Sequence, residues 1–167
     1  YIMIKPILTY PNLKLTHTSV DITEFTDDVL NMLQDLMDTF ANVPCLGLAA
    51  PQIGYPIRAI VISTSQLGIG SLPLLMINPV ILNKSTELFE YNEGCLSLPG
   101  GNEKVKRPKT ITVQYHTKFN ELMEIEVSDL ASSCIQHEID HLDGKLLIDH
   151  LHNIKRNRLL NKVRKSK

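Results

Sequence analysis

The longest regular pattern of apolar and polar residues lies between positions 24 and 42. Apolar side chains recur there every three or four residues, and acidic residues cluster near the start, as is typical of an amphipathic helix. Pro44 follows and ends the pattern. The apolar face of this predicted helix consists of Phe25, Val29, Leu33, Leu36, Met37 and Phe40.

Shorter runs of apolar and β-branched residues predict strands. Residues 58–63 (RAIVIS) and 74–82 (LLMINPVIL) are of this kind. Residues 111–117 and 122–128 flank the short connection KFNE, and we expect them to pair as a β-hairpin.

Two other stretches are predicted to be loops. Residues 97–109, SLPGGNEKVKRPK, have the composition of a loop. Residues 45–54, CLGLAAPQIG, are rich in glycine and alanine and carry too little bulk for a core strand. We expect the backbone of this second stretch to approach another group closely.

Two more helices are predicted toward the carboxyl end. Ser128 and Asp129 can open the first, and residues 151–165 form the second, which is strongly basic and has Ile154, Leu159, Leu160 and Val163 facing inward. Strands and helices follow one another without βαβ alternation, so the sequence predicts an α+β fold. One face of the first helix carries Leu130, Cys134, His137 and His141.

Length and composition limit the class of protein. A chain of 167 residues can bury a core of its own, and we expect one domain spanning residues 1–167. The formal net charge of −1 gives no overall attraction for nucleic acid, and no apolar run is long enough to span a bilayer. Three cysteines without regular spacing argue against a disulfide framework and favour a reducing compartment.

The candidate chemistry lies in residues 136–141, QHEIDH, which contain the pattern H-E-x-x-H. On a helix His137 and His141 lie one above the other and can bind one metal ion. Glu138 cannot join them and is placed to take a proton from water on that ion. Because both histidines continue the apolar stripe of the helix, we predict a metal site rather than two solvated histidines.

A catalytic metal ion needs a third protein ligand, which the common metalloprotease classes do not supply here. The metzincin pattern fails at Leu147, where a histidine is required, and no glutamate follows His141. Cys134 lies about 10 Å from His141 along the helix axis at about 1.5 Å per residue, beyond the reach of its short side chain. We favour Cys95 over Cys45 because a glycine precedes it and a Pro-Gly-Gly loop follows. The full set of candidates is Cys45, Cys95, His17, His116, His150 and His152.

Three short motifs occur in a fixed order: CLGLAAPQ at 45–52, EGCLS at 93–97 and QHEIDH at 136–141. In this order and at about this spacing, the sequence resembles the peptide deformylases. These metal-dependent hydrolases remove the formyl group from the N-terminal formylmethionine of newly made polypeptides. The resemblance covers nearly the whole chain and implies a single compact domain with antiparallel sheets around a central helix that carries H-E-x-x-H.

The resemblance also implies the ligands of the metal ion, which would be Cys95, His137 and His141. The ion in this family is usually Fe²⁺ in the cell, although Zn²⁺, Ni²⁺ or Co²⁺ can occupy the site. From the ligand types alone we would have predicted zinc.

A mechanism follows from the same resemblance. Water bound to the ion would attack the formyl carbon, while Glu138 takes its proton and later returns a proton to the leaving amine. The side-chain amide of Gln52 and the backbone N–H of Leu96 would stabilise the negative charge that develops on the formyl oxygen.

The family's methionine pocket would be lined from these motifs and from the ring of His137. An unbranched thioether packs well against such an apolar wall, and Gly47 would let an extended peptide approach the backbone. We also predict that Glu93 pairs with Arg107 as a structural brace, the alternative being a solvated charge. The other pocket residues are expected to be Leu46, Gly47, Leu130, Ser133 and Cys134.

Three features depart from the family pattern. Cys45 stands where glycine is common, Ser133 stands where a larger apolar residue is common, and the loop GGNEKVKR lacks an arginine close to the second motif. None of them touches a predicted ligand or the base. We therefore expect the chemistry to be retained and the substrate preference to be the property that differs.

The expected substrates are formylmethionyl peptides and nascent chains. Lysine and arginine supply seven of residues 155–167, and this basic tail is either a solvated helix face, which we favour, or a docking site for ribosomal RNA. The first residues lack the features of a signal peptide, so we expect a cytoplasmic location. We also expect the protein to be a monomer. An organelle form whose transit peptide has been removed would have the same sequence.

Two other functions remain open at this point. A metallopeptidase would share H-E-x-x-H and its glutamate. A non-catalytic metal-binding or RNA-binding module would need a closed structural site with four protein ligands. Glu138 and Gln52 argue against that second alternative, because a structural site has no need of a base or of an oxyanion donor.

Overall fold

A five-stranded antiparallel sheet forms the centre of the structure, a computed structural model that describes residues 2–167 and leaves Tyr1 outside. The strand order in this sheet is β1-β2-β3-β6-β7, and β4 and β5 form a separate two-stranded antiparallel sheet. The strands are β1 (Gly47–Ala49), β2 (Ala59–Ile62), β3 (Leu74–Lys84), β4 (Leu88–Gly94), β5 (Asn102–Pro108), β6 (Thr110–His116) and β7 (Leu122–Ser128).

Within the described residues, four α-helices and three short 3-10 helices complete the fold. The α-helices are α1 (Asp27–Ala41), α2 (Thr64–Leu67), α3 (Asp129–Leu142) and α4 (Asn153–Lys165). The 3-10 helices are Leu13–Thr16, Ala50–Ile53 and Leu147–His150. The predicted α+β class is confirmed. No helix within residues 2–167 has both the length and the apolar character needed to cross a membrane.

Helix α1 confirms the prediction made from the amphipathic pattern. The side-chain oxygen of Thr26 accepts a hydrogen bond from the Val29 N–H and caps the first turn. Leu33, Leu36 and Phe40 are buried against the face of the sheet opposite α3. Hydrophobic burial on one face therefore holds α1 to the sheet.

The strands at 58–63 and 74–82 and the hairpin are also confirmed. Strands β6 and β7 pair from Thr110 opposite Ser128 to His116 opposite Leu122. Along β6 every second residue is buried, so one face contributes to the core beneath α3.

Both loop predictions were wrong in part. Residues 97–109 contain β5, whose buried face carries Glu103, Val105 and Arg107. Because charged residues lie on both faces of this strand, its sequence lacks the alternation of apolar and polar residues that predicts a strand. Residues 45–54 contain the buried strand β1 and a 3-10 helix, although the predicted close backbone approach is confirmed at Gly47.

Helix α3 lies between the large sheet and the β4–β5 sheet, and most of its residues are buried. It begins at Asp129 as predicted, but the Ser128 hydroxyl hydrogen-bonds the Thr110 hydroxyl and does not cap the helix. At the other end, the Arg58 guanidinium donates to the Leu142 carbonyl at 3.0 Å. Gly144 then turns the chain at φ +72°. A Cβ at this position would collide with the backbone of Thr16 and His17.

Helix α4 packs against β5 and the 3-10 helix Leu147–His150. Leu159, Leu160 and Val163 are buried as predicted. The prediction for Ile154 was wrong, because this side chain is 83% exposed. It lies in the first turn of α4, and the buried residues of the helix begin at Leu159.

Candidate active site

Three side chains from two elements converge at the edge of α3. Cys95 directly follows β4, while His137 and His141 lie one turn apart on α3. Their ligand atoms all lie within 4.8 Å of one another. The Cys95 Sγ and the His141 Nε2 are 3.4 Å apart, and tetrahedral binding of one ion by thiolate and imidazole requires about 3.6 Å. The three residues therefore fit a single metal ion.

The charge state of Cys95 also suits metal binding. Burial would raise the pKa of its thiol, but the charge of His141 and hydrogen bonds from His137 and His141 hold that pKa well below its usual range. The thiolate is the form that binds metals. The residues thus supply one anionic sulfur and two imidazole nitrogens as a donor set.

A carboxylate orients one of the histidines. The Nδ1 of His137 donates to the Glu93 Oε1 at 2.8 Å, which leaves its Nε2 directed at the site. Arg107 donates to both oxygens of Glu93, at 2.7 and 3.0 Å, and confirms the predicted pair. Burial would raise the pKa of the Glu93 carboxyl, but hydrogen bonds from His137 and Arg107 outweigh it and lower that pKa.

Asp140 extends this arrangement. Its Oδ2 accepts a hydrogen bond from the Arg107 Nη1 at 2.8 Å and lies 2.7 Å from the His150 Nε2. Burial would raise the pKa of the Asp140 carboxyl, but the hydrogen bond from His150 and the charge of Arg107 lower it. Asp140 is therefore ionised and accepts from both partners.

Glu138 lies beside the three converging side chains and is 5% exposed. Burial raises the pKa of its carboxyl, against the charges of His137 and His141. Within residues 2–167 its Oε2 has no hydrogen-bonding partner. This oxygen is free to exchange a proton with a substrate or a water molecule.

Gly47 on β1 gives Glu138 its space. A Cβ at position 47 would lie 2.8 Å from the Glu138 Cγ and 3.1 Å from the Cys134 Sγ. Only glycine allows β1 and α3 to approach this closely.

Two hydrogen-bond donors, from Gln52 and Leu96, lie at the same cavity. The Gln52 Oε1 accepts from the Ala49 N–H at 2.9 Å, which fixes its amide so that Nε2 lies 3.1 Å from the Ser97 Oγ and 3.6 Å from the Cys95 Sγ. The backbone N–H of Leu96 donates to no acceptor in the part of the chain that the structure describes. Gln52 and Leu96 both line the cavity at the site.

This cavity has a volume of about 500 Å³ and is open to solvent. Burial, followed by the charge of Glu138, raises the pKa of the Cys45 thiol at its edge to about 12, so Cys45 is a neutral wall group. All the predicted pocket residues line it: Leu46, Gly47, Leu130, Ser133 and Cys134.

The comparisons with known proteins agree with this geometry. A family model described as polypeptide deformylase matches residues 4–157. The chain belongs to the polypeptide deformylase family. A peptide deformylase from Agrobacterium fabrum is 39% identical to it over 163 residues, which cover 98% of this chain and 96% of that protein. The resemblance predicted from the three motifs is confirmed, and so is the assignment to the peptide deformylase class of enzymes.

Solved structures of deformylases share the fold. A peptide deformylase from Legionella pneumophila superposes with a TM-score of 0.90 at 34% identity, covering 98% of this chain and 95% of that one. A peptide deformylase from Ehrlichia chaffeensis in complex with actinonin gives a TM-score of 0.90 at 31% identity, covering 99% of both chains. The predicted single domain with antiparallel sheets and a central helix matches these deformylases.

Among the other candidate ligands, Cys45 lines the cavity but does not join the three converging ligand atoms. The remaining candidates neither line the cavity nor join those atoms: His17, His116, His150 and His152. Cys134 lines the cavity without joining the three converging ligand atoms, as predicted. Sequence analysis missed Ser97, which accepts from Gln52, and the contact of Asp140 with His150. Ser97 lies in the EGCLS motif and could have been found there. The contact between Asp140 and His150 leaves no signal in the spacing of residues.

Proposed function

We propose that this protein removes the formyl group from N-terminal formylmethionine of newly made polypeptides, using one divalent metal ion held by Cys95, His137 and His141. The observation that carries the proposal is the position of the unpaired Glu138 carboxylate beside these three ligand atoms, which lie within 4.8 Å of one another. Membership of the deformylase family supplies the reaction class.

When bound, the ion supplies a Lewis acid that lowers the pKa of water and polarises the formyl carbonyl. Fe²⁺, Zn²⁺, Ni²⁺ and Co²⁺ all accept thiolate and imidazole donors, and we propose Fe²⁺ in the cell. Cys95, His137 and His141 provide three ligands, the number typical of catalytic sites, where one position is left for water or substrate.

Glu138 is the proposed proton carrier. Its carboxylate accepts the proton of the attacking water and then donates a proton to the amine that leaves the formyl carbon. The raised pKa of this carboxyl, caused by burial, brings it closer to the pH at which both transfers are efficient. The Gln52 Nε2 and the Leu96 N–H are the proposed donors to the oxygen that becomes negatively charged.

The cavity is the proposed binding site for the formylmethionine side chain. Leu46, Leu130 and Cys134 present apolar or soft groups to an unbranched thioether. Gly47 leaves room for the peptide backbone, and Ser133 adds a small side chain to the wall. The differences at Ser133 and Cys45 are the proposed determinants of substrate preference.

The proposal also covers helix α4 and the oligomeric state. The exposed basic residues of α4, such as Lys155 and Lys162, form a solvated helix face, and contact of this face with ribosomal RNA is the proposed alternative. All the proposed ligands and the base come from one chain, as a monomer requires. The three cysteines are free thiols, which suits the reducing cytoplasm.

The test is formate release from a short formyl-Met peptide by protein loaded anaerobically with Fe²⁺. We expect rapid release by the parent protein and a loss of about 10²–10⁴-fold in Glu138→Ala at equal metal content. Glu124→Ala, which removes a carboxylate on the exposed part of β7, is the matched control and should keep full activity.

Two results would contradict the proposal. The first is an absence of formate release by the fully loaded parent. The second is cleavage of internal peptide bonds or N-acetyl groups at comparable rates, which would favour a metallopeptidase.

A further inference from the structure

His150 lies at the protein surface at the end of the 3-10 helix Leu147–His150, outside the cavity that holds the proposed reaction. Its Nε2 is 2.7 Å from the Asp140 Oδ2. A carboxylate oxygen accepts, so the Nε2 carries the proton and donates. The imidazole is about one third exposed, and this hydrogen bond connects it to α3.

An unbroken series of short contacts runs from His150 to the proposed metal site. Asp140 accepts from the Arg107 Nη1 at 2.8 Å, and Arg107 donates through Nε to Glu93 at 2.7 Å. Glu93 in turn accepts from the Nδ1 of His137 at 2.8 Å. The exposed fraction of the side chains falls along this series from 35% at His150 to 19% at Asp140 and 4% at Arg107.

We propose that His150 is a positioning residue for the metal site: it holds Asp140, which fixes the guanidinium of Arg107 against Glu93 and thereby the ring of His137. The inference rests on the proposed function, because it takes His137 to be a metal ligand. It assigns His150 a role although no atom of His150 lies in the cavity.

The geometry of Arg107 explains why an outer contact reaches the inner site. Its planar guanidinium donates to two carboxylates at once, so turning it toward one changes its angle to the other. Asp140 is partly exposed, and without His150 its carboxylate can turn toward water. Arg107 then loses the acceptor that holds its outer edge, and Glu93 loses a fixed partner.

The orientation of a metal-bound histidine depends on the acceptor of its other ring nitrogen. Loss of a direct acceptor of this kind typically costs roughly 10–100-fold in metal affinity or activity. His150 acts through Asp140, Arg107 and Glu93, so a smaller effect of about threefold to tenfold is expected.

The test uses two variants of His150 and one control in the full-length protein. His150→Phe removes the donor, whereas His150→Gln places an amide N–H where the Nε2 lies. His152→Phe changes an exposed histidine two residues further on whose side chain makes no hydrogen bond or ion pair in the described structure. Thermal unfolding of each metal-free variant checks that all of them fold.

Metal affinity is measured first, by competition of Zn²⁺ between the protein and a chromophoric chelator. The absorption spectrum of the Co²⁺-loaded protein is recorded as a second readout, because it responds to ligand orientation rather than to stability. Formate release then gives kcat and KM separately.

We expect His150→Phe to bind Zn²⁺ about threefold to tenfold more weakly, to alter the Co²⁺ spectrum and to lower kcat with little change in KM. His150→Gln and His152→Phe should lie within about twofold of the parent. Metal affinity and a spectrum equal to the parent's in His150→Phe would overturn the proposal. An equal loss in His150→Gln would overturn it too, since the donor would then have no role.

A failure of the proposed function gives a different result. If the parent releases no formate but His150→Phe still weakens Zn²⁺ binding and His150→Gln restores it, the deformylase reaction is wrong and the positioning role is supported.

Discussion

The carboxylate of Glu93 lies 2.8 Å from the Nδ1 of His137, so the two side chains form a buried hydrogen bond beside the proposed metal site. This contact sets the tautomer of His137, because a carboxylate accepts and the ring must therefore carry its proton on Nδ1. The Nε2 is then the nitrogen that would bind the proposed ion. The contact links metal binding to the stability of the buried ion pair between Glu93 and Arg107.

Removal of Arg107 tests this link. In Arg107→Met the Glu93 carboxylate stays buried without its cation, and Asp140 loses a partner. Breaking one side of a buried ion pair costs about 3–5 kcal/mol, so we expect the free energy of unfolding to fall by about this amount. Urea denaturation measured by circular dichroism gives the value.

Arg156→Met is the matched control. Arg156 forms an exposed ion pair with Asp149 at 3.4 Å, and exposed pairs contribute at most about 1 kcal/mol. Equal losses of stability in the two variants would show that the Glu93–Arg107 pair has no special role in the fold.

Gln52 provides a second prediction. Its Nε2 is a proposed donor to the developing oxyanion, and removal of one such donor costs about 10²–10³-fold in kcat. We expect Gln52→Ala to lower kcat by about this factor with a smaller change in KM. Steady-state formate release with a formyl-Met peptide measures both constants.

A second buried glutamine serves as its control. Gln136 donates to the Pro108 carbonyl and to Ser132 and lies outside the cavity. Gln136→Ala removes a buried amide of the same kind and should keep kcat within about threefold of the parent, because it removes no oxyanion donor. A drop in kcat as large as that of Gln52→Ala would point to lost packing instead of a lost oxyanion donor.

The sequence predicted the elements whose pattern is local. The amphipathic α1, the strands and the hairpin follow from periodicity, and H-E-x-x-H placed two histidines on one helix face. It did not predict β5, because Glu103 and Arg107 point inward in a strand whose other face is also polar. Burial of these charges depends on partners distant in sequence, Arg158 and Glu93 respectively.

The third candidate ligand shows the same limit. Spacing excluded Cys134 but left several residues open. The glycine and the loop beside Cys95 favoured it over Cys45, and the motif resemblance then selected it. Cys95 reaches the two histidines because β4 ends at Gly94, beside α3. The contact of Asp140 with His150 depends on the turn after α3 and could not be derived from residue pattern.

Gly47 carries a third prediction. In Gly47→Ala the new Cβ would lie 2.8 Å from the Glu138 Cγ, so the carboxylate or β1 must shift. We expect kcat to fall by at least about tenfold and the free energy of unfolding to fall by about 1–3 kcal/mol. Formate release and urea denaturation measure the two effects.

Gly70→Ala is a useful comparison, because its Cβ would meet the Thr64 side chain at 3.0 Å, away from the cavity. We expect this variant to keep its kcat. Full activity in Gly47→Ala would mean that Glu138 tolerates displacement, which its proposed role does not allow.

A fourth prediction concerns acid pH and the contact between β5 and α4. Arg158 donates to Glu103 at 2.6 Å, and this hydrogen bond lowers the pKa of the Glu103 carboxyl below its ordinary value of 4.5. As the pH falls below about 4.5, the unfolded chain binds the proton first, so the contribution of the pair is lost through this range. At pH 7 it is fully present.

Arg158→Met should therefore unfold more easily than the parent at pH 7, by at most about 1 kcal/mol because Arg158 is half exposed. The difference should shrink as the pH falls below about 4.5 and vanish where Glu103 is protonated in both states. Urea denaturation of both proteins from pH 7 to pH 3 measures it. Arg164→Met, which removes a charge that forms no ion pair within residues 2–167, should show no such pH dependence. A difference between Arg158→Met and the parent that persists unchanged at pH 3 would mean that the Arg158 side chain stabilises α4 by packing, and not through the charge of Glu103.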